Sequence, residues 1–368
     1  MPEIEPFNWT RTSDLRDRAD GQEIWTLTHG QTKKSFDVNV TFGKAIDIKG
    51  IKKDWPFKTE VEFCTQMRKY FESNPNFVPV ENCPICGSDK SHAKPERKIW
   101  SENYFACEIC GHAFMEHFPE AKFAEEFYAS NYSAAGYYTN EEDIEFRLAQ
   151  IYRPKIDWIV GRYRQRYGRD PRSIFDVGAG AGHTLYAAHQ KGLSVNGVER
   201  DTKYREFCQR NFGITLFADP QEYHGQRFDV VMSFNVIEHV DDPFQFLAEY
   251  KELLSDEPLA VVETPKYNSV TSTIQTVYKD KIRGHLAPYQ HNHMFSDSSL
   301  ATLFYLNGYD ISDLWIFGND AIELILQIAD ELDAPATDLI DNLYPQLQKS
   351  LDRSMASDIM ILAAVPSI

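Results

Sequence analysis

Apolar and polar positions along this chain change their period from one region to the next. From about residue 172, short apolar runs alternate with amphipathic stretches: RSIFDVG predicts a strand, GHTLYAAHQKG a helix, SVNGVE a strand, TKYREFCQRNFG a helix and ITLF a strand. FDVVMSFNV (strand), DPFQFLAEYKELL (helix) and LAVVETP (strand) continue the series. Two late strands, YDISDLWIFG and SDIMILAAV, flank a helical insert at about 320–352. Strands alternating with helices in this way predict a parallel sheet covered on both faces, a doubly wound α/β fold. Upstream, EEDIEFRLAQIYRPKIDWIVGRYRQRYG sets Leu148, Tyr152, Ile156, Ile159 and Tyr163 at helical spacing despite Pro154, which predicts one covering helix or two. Residues 1–80 read as a small α+β unit, with β-prone EIWTLT and SFDVNVTF and a helical TEVEFCTQMRKYFES closed by Asn-Pro.

Composition narrows the class. With 368 residues, two or three domains are expected, and 42% apolar with 25% charged residues is the balance of a folded soluble protein. A net charge of −17 argues against a broad phosphate-backbone footprint, which needs a concentrated basic face. The N-terminal MPEIEPFNWTRTSD lacks the apolar region of a secretory signal, and no apolar run approaches the roughly 18 residues of a membrane span. Four of the six cysteines form two CxxC pairs, and Cys64 and Cys208 stand alone; this favours metal binding in a reducing cytoplasm over disulfides.

FDVGAGAGHTL places Gly178, Gly180 and Gly182 between a buried strand and a helix, where absent Cβ atoms let the backbone approach a nucleotide-like ligand. On the turn alone, a plain tight corner stays open. Asp176 closes the strand before the turn, where a carboxylate can reach an amino-bearing ligand. Glu199 ends the next strand, where an acid accepts hydrogen bonds from ribose hydroxyls. Together with the strand ending Asn235-Val236-Ile237-Glu238-His239-Val240, this set resembles the class I S-adenosylmethionine-dependent methyltransferases over about residues 140–318 and the last strand. The resemblance implies a seven-stranded Rossmann-like core, with Asp176, Gly178, Gly180, Gly182 and Glu199 holding the cofactor. It also places Phe217, Ala218 or Asp219 beside adenine and Asn235 in the cofactor set. A nicotinamide enzyme is the natural rival, but its glycines are spaced GxGxxG.

Methyl transfer to a protic acceptor needs a base near neutrality, a role suited to histidine. His239 follows strand four at the carboxyl edge of the sheet, where ligands bind in open α/β folds, and a capping role for it is the plain alternative. His291 and His293 lie in PYQHNHMFSDSSL, with His293 expected structural or exposed. A glycine-turn core preceded by two CxxC pairs and followed by a QHxxxFS segment resembles the zinc-containing methyltransferases of nucleotide-linked sugars. That resemblance implies His291 as base, His239 and Glu238 in the acceptor pocket, and a tyrosine among Tyr132, Tyr137 and Tyr138, of which Tyr138 is taken as the candidate. Gln290 departs from the glutamate of that group and leaves O-, N- or C-methylation open. Glu238 and His239 also raise a divalent-cation alternative of the kind used by some quinone-forming O-methyltransferases. Lys279, Lys281 and Arg283 are either nucleotide-diphosphate contacts or a solvated loop.

Cys83, Cys86, Cys107 and Cys110 are spaced C-x2-C-x20-C-x2-C, each pair followed by glycine. Two such knuckles close a four-thiolate site for structural Zn2+, with no position left for a catalytic water. The expected organisation is a unit at 1–80, a zinc ribbon at 81–120, a helical and aromatic lid segment at 121–170 and the core at 171–368. The expected function is methylation of a sugar or nucleotide-sugar in surface-polysaccharide or natural-product assembly, by a cytoplasmic protein for which a homodimer is open. An RNA methyltransferase carrying a zinc ribbon and a phenol- or quinone-type O-methyltransferase are the rivals; a protein that binds cofactor without turnover is a further one.

Overall fold

The computed structural model describes residues 7–11, 22–44, 65–66, 68–70, 72–73, 77–120, 139–277, 285–288, 290–332 and 337–367. Tyr132, Tyr137, Tyr138, Lys279, Lys281, Arg283, Cys64 and most of TEVEFCTQMRKYFES lie outside the described residues.

The chain opens with β1 (Phe7–Arg11), β2 (Gln22–His29) and β3 (Ser35–Phe42). A cysteine-paired segment follows, carrying β4 (Phe77–Pro79), β5 (Ala93–Ile99), β6 (Glu102–Cys107), β7 (Ala113–Met115) and β8 (His117–Pro119). A helical run from Ile144 through a π-turn at Leu148–Tyr152 leads into α1 (Arg153–Tyr167). Then come β9 (Ser173–Val177), α2 (His183–His189), β10 (Ser194–Val198), α3 (Thr202–Phe212), β11 (Phe228–Phe234), α4 (Pro243–Leu253) and β12 (Leu254–Pro265). The chain finishes with α5 (Val270–Val277), β13 (His293–Met294), α6 (Asp297–Leu306), β14 (Tyr309–Phe317), α7 (Asp320–Glu331), α8 (Thr337–Arg353) and β15 (Ile359–Pro366).

Among the described residues, the main sheet has nine strands in the order β1-β2-β3-β14-β15-β12-β11-β9-β10. β10, β9, β11 and β12 run parallel, β15 is inserted antiparallel between β12 and β14, and β3 pairs parallel with β14. Alternation along β15 shows why both faces are apolar. Met360, Leu362 and Ala364 enter one core, and Ile361, Ala363 and Val365 enter the other.

Two sequence expectations change. ITLF makes no strand: Phe217 meets Val198 in a single parallel bridge before the chain turns through Asp219-Pro220. Proline has no N–H to extend a ladder, so the seven-strand count fails at that edge. Residues 7–42 do not stand apart as a separate unit, because β1–β3 extend the main sheet beyond β14. Indole bonds hold them there: Trp158 donates to Thr41 Oγ1 at 3.0 Å and Trp315 to the Gly43 carbonyl at 2.8 Å.

The cysteine-paired segment is not self-contained either. Its small sheet runs β13-β7-β6-β5, so the short strand after His291 is one of its members. The covering helix follows the predicted spacing, with Leu148, Ile156, Ile159 and Tyr163 buried. Pro154 directly follows the π-turn at Leu148–Tyr152, where the helical ladder already shifts and the missing N–H is tolerated within the continuing run.

Candidate active site

The carboxyl edges of β9, β10, β11 and β12 meet at the glycine turn. Gly178, Gly180 and Gly182 adopt φ of +78°, +52° and +81°, a region that L side chains rarely adopt. Their surroundings differ. A Cβ on Gly182 would lie 2.1 Å from Cys208 Sγ and one on Gly178 would lie 2.5 Å from Val236 Cγ2, whereas one on Gly180 would meet nothing within 4 Å. Gly178 and Gly182 therefore make the corner and Gly180 faces open space, as a cradle for a ligand requires. Gly182→Ala is expected to destabilise the protein by at least about 1–3 kcal/mol. Gly180→Ala should fold at a cost of about 1–2 kcal/mol and lose affinity for S-adenosylhomocysteine, as melting and titration calorimetry would show.

Asp176 is buried, its Oδ1 without a hydrogen-bond partner, and burial reinforced by the Glu199 charge pushes its carboxyl up to about 8. Glu199 accepts from the amides of Gly180 and Asp201, each at 2.8 Å, so it braces the turn as well as facing it. Phe217 is exposed beside Tyr223, whose ring it meets edge-on at 5.4 Å. Asp219 is used locally, accepting from the Gln221 amide at 2.9 Å as the cap of its own turn. Asn235 adopts φ +53° and donates from Nδ2 to Glu263 Oε1 at 3.1 Å. Glu263 is itself buried against Lys155 Nζ at 2.6 Å. Sequence reading did not single out Lys155 or Glu263; the signal was a lysine on the covering helix and an acid closing the apolar run LAVVETP.

A cluster on the neighbouring loops brings Glu238, His239 and His291 together. Each offers one donor atom, and the three lie within 4.8 Å of one another. The two imidazole rings meet edge-on, with centroids 4.8 Å apart. His239 Nδ1 lies 2.7 Å from the Gln290 carbonyl and His291 Nδ1 lies 2.6 Å from the His285 carbonyl. A carbonyl only accepts, so both rings carry their proton on Nδ1 and a lone pair on Nε2. Residue 290 thus acts here through its backbone, which glutamine supplies as well as glutamate does. Glu238 is fully buried, with Oε2 accepting from Thr264 Oγ1 at 3.1 Å and Oε1 without a partner; burial pushes its carboxyl up to about 8. Burial lowers His239 to about 4, and burial with the neighbouring His239 holds His291 well below the usual imidazole range. His293 is fully buried with its backbone N–H on the Glu238 carbonyl at 3.2 Å.

The cysteines form the second centre. Cys83 and Cys110 sulfurs are 3.6 Å apart, as are those of Cys86 and Cys107, close to an edge of a tetrahedron with metal–sulfur bonds of about 2.3 Å. The knuckles are set by Gly87 N–H on the Cys83 carbonyl and Gly111 N–H on the Cys107 carbonyl, both 2.9 Å. This cluster is compatible with zinc.

Residues 147–314 match the sequence model of a family described as a methyltransferase domain. These residues are a methyltransferase domain. The matched stretch carries the glycine turn, Asp176 and Glu199. Among curated proteins, it is similar to ubiquinone biosynthesis O-methyltransferases. That of Cereibacter sphaeroides (strain ATCC 17029 / ATH 2.4.9) is 26% identical over 137 residues, covering 33% of this chain and 56% of the relative. That of Roseobacter denitrificans is 26% identical over 145 residues, covering 35% and 58%. The chain spans little more than half the length of these relatives. Solved structures with a similar course include the plantazolicin methyltransferase BamL with a desmethyl analogue and S-adenosylhomocysteine, at 13% identity and a TM-score of 0.46 over 67% of this chain and 95% of that one. Magnesium protoporphyrin IX methyltransferase from Synechocystis PCC 6803 aligns at 13% identity and a TM-score of 0.44, over 67% and 100%. No described helix is long and apolar enough to cross a membrane.

Proposed function

We propose that this chain transfers a methyl group from S-adenosylmethionine to a small polar acceptor, a sugar or nucleotide-sugar, with His291 as the general base. The observation that carries the reading is the pair His239–His291 beside buried Glu238, at the carboxyl edge of the sheet that bears the glycine turn. Asp176, Glu199 and the Gly178–Gly182 turn would hold the cofactor, which supplies an electrophilic methyl group when bound. An acceptor hydroxyl beside His291 would give its proton to His291 Nε2, while the cofactor would supply the methyl group and leave as S-adenosylhomocysteine. Glu238, neutral below about pH 8, donates rather than repels there. The QHxxxFS segment and the four-cysteine cluster support the sugar reading, and Cys83, Cys86, Cys107 and Cys110 would hold structural zinc. The test is to screen nucleotide-sugars by mass spectrometry for the gain of one methyl group; transfer confined to phenols or RNA would overturn this acceptor class.

A second reading has its own support. The donor atoms of Glu238, His239 and His291 are close enough to share a divalent cation, and the curated relatives methylate in ubiquinone biosynthesis. On that reading a phenol would be deprotonated through a cation rather than by His291. Turnover that rises with added Mg2+ at retained zinc, and loses that response in Glu238→Gln, would select it; Mg2+-independent turnover would exclude it.

The Asp176 carboxyl makes cofactor binding pH-linked. Its folded value of about 8 is raised above the unfolded value of about 3.9. The stability it contributes is therefore complete below about pH 4 and lost as pH rises through 8. A ligand ammonium that needs the carboxylate must expel its proton at neutral pH. Calorimetry of S-adenosylhomocysteine binding at pH 7, in buffers of different ionisation enthalpy, is expected to show release of about one proton, and Asp176→Asn should abolish the release.

A further inference from the structure

We propose that His112, from the cysteine-paired segment, is a positioning residue for the His239–His291 pair and acts through His293. The inference rests on the reading of that pair as the acceptor-proton machinery. His112 and His293 are both fully buried. His112 Nε2 lies 3.3 Å from His293 Nδ1, and His293 Nε2 lies 3.0 Å from the Val240 carbonyl.

Hydrogen-bond direction follows from that end. The Val240 carbonyl can only accept, so His293 carries its proton on Nε2 and a lone pair on Nδ1. His112 must then donate from Nε2, which leaves its Nδ1 as an acceptor 3.4 Å from Ser299 Oγ, whose single proton also faces the Ser296 carbonyl at 3.2 Å. Each ring is pinned in one neutral tautomer.

The two ends of this wire touch both catalytic loops. Val240 directly follows His239, and His293 is two residues past His291. The loops are otherwise laced to each other by His239 Nδ1 on the Gln290 carbonyl and His293 N on the Glu238 carbonyl. His112 ties that lace to the ribbon, in the same place where β13 pairs with β7 through His293 opposite Phe114 and Met294 opposite Ala113.

Packing alone does not call for histidine there. His112 sits between Phe114 and Phe295, at ring-centroid distances of 6.2 and 4.8 Å, and Phe118 closes on His293 at 5.1 Å. An apolar side chain would suit that slot better, since a buried imidazole must recover its lost hydration through hydrogen bonds. What histidine adds is a directed donor that sets the His293 ring, and with it the spacing of the residues bearing His239 and His291.

Long-range proton–nitrogen NMR correlations on histidine-labelled, zinc-loaded full-length protein test the wire. His112 and His293 are expected as Nε2–H tautomers, and His239 and His291 as Nδ1–H tautomers. In His112→Leu the His239 and His291 resonances should move while S-adenosylhomocysteine affinity stays within about twofold, and His112→Gln, which keeps a donor, should restore them. An Nδ1–H tautomer at His293, or unmoved His239 and His291 signals in the leucine variant, would overturn the proposal. So would equal displacement in the glutamine variant, which also decides the matter if His112→Leu does not fold. Wild-type protein that fails to bind S-adenosylhomocysteine would sink the methyltransferase reading instead and leave the tautomer result intact.

Discussion

His291→Ala is expected to lower methyl transfer by about 10²–10⁴-fold while affinity for S-adenosylhomocysteine survives, because His291 lies with Glu238 and His239 and not in the glycine turn. Single-turnover rates on an acceptor that the wild type methylates, beside calorimetric cofactor affinities, would check both halves. The pH dependence has a defined sign. Protonation removes the base, and burial beside His239 holds the His291 imidazolium well below the usual range. The acid limb should therefore fall below the roughly 6.5 of a solvated imidazole. Near-normal turnover in the alanine variant would remove His291 as the base. A variant that instead loses a Mg2+ response present in the wild type would point to the cation-assisted reading.

Removing the zinc that the cysteine cluster would hold should be comparably severe and differently distributed. Structural zinc contributes an apparent 10–16 kcal/mol or so in small zinc domains, so Cys110→Ser or a strong chelator is expected to unfold the ribbon. The consequence reaches the acceptor side first. β13 is only two residues long, begins two residues after His291, and pairs with β7 of the ribbon. Methyl transfer is expected to drop at least about tenfold while cofactor affinity changes by a few-fold at most, since distant sites add nearly independently. Metal content by mass spectrometry should fall from one zinc per chain to none. Equal losses of cofactor and acceptor function would mean that the cluster supports the whole molecule and not this loop.

The cysteine segment also has a mechanical task that its own sequence does not show. Set beside the methyltransferase-like core, the sequence casts it as a clamp holding the tyrosine-rich stretch at 128–138 over the cleft, a stretch outside the described residues. The structure shows it supplying a neighbouring strand to the loop that bears His291. No local pattern could reveal that, because His293-Met294 is too short to read as a strand and its partners, Phe114 and Ala113, are about 180 residues away.

Local chemistry was legible where one segment contains its own reason. The glycine turn needs positive φ within a few residues, so GAGAG between a strand and a helix announces it. Paired cysteines two residues apart announce a knuckle, and alternating apolar runs announce buried strands. By itself, then, the sequence determined the α/β alternation, the glycine turn with Asp176 and Glu199 beside it, and the four-cysteine cluster. A resemblance implied the meeting of Glu238, His239 and His291, whereas tertiary structure alone decided the Lys155–Glu263 pair, the His112–His293 wire and the addition of β1–β3 to the main sheet. Each joins segments far apart in the chain, and such contacts depend on how whole faces pack and on which buried polar groups must find partners, a balance that no short window of residues contains.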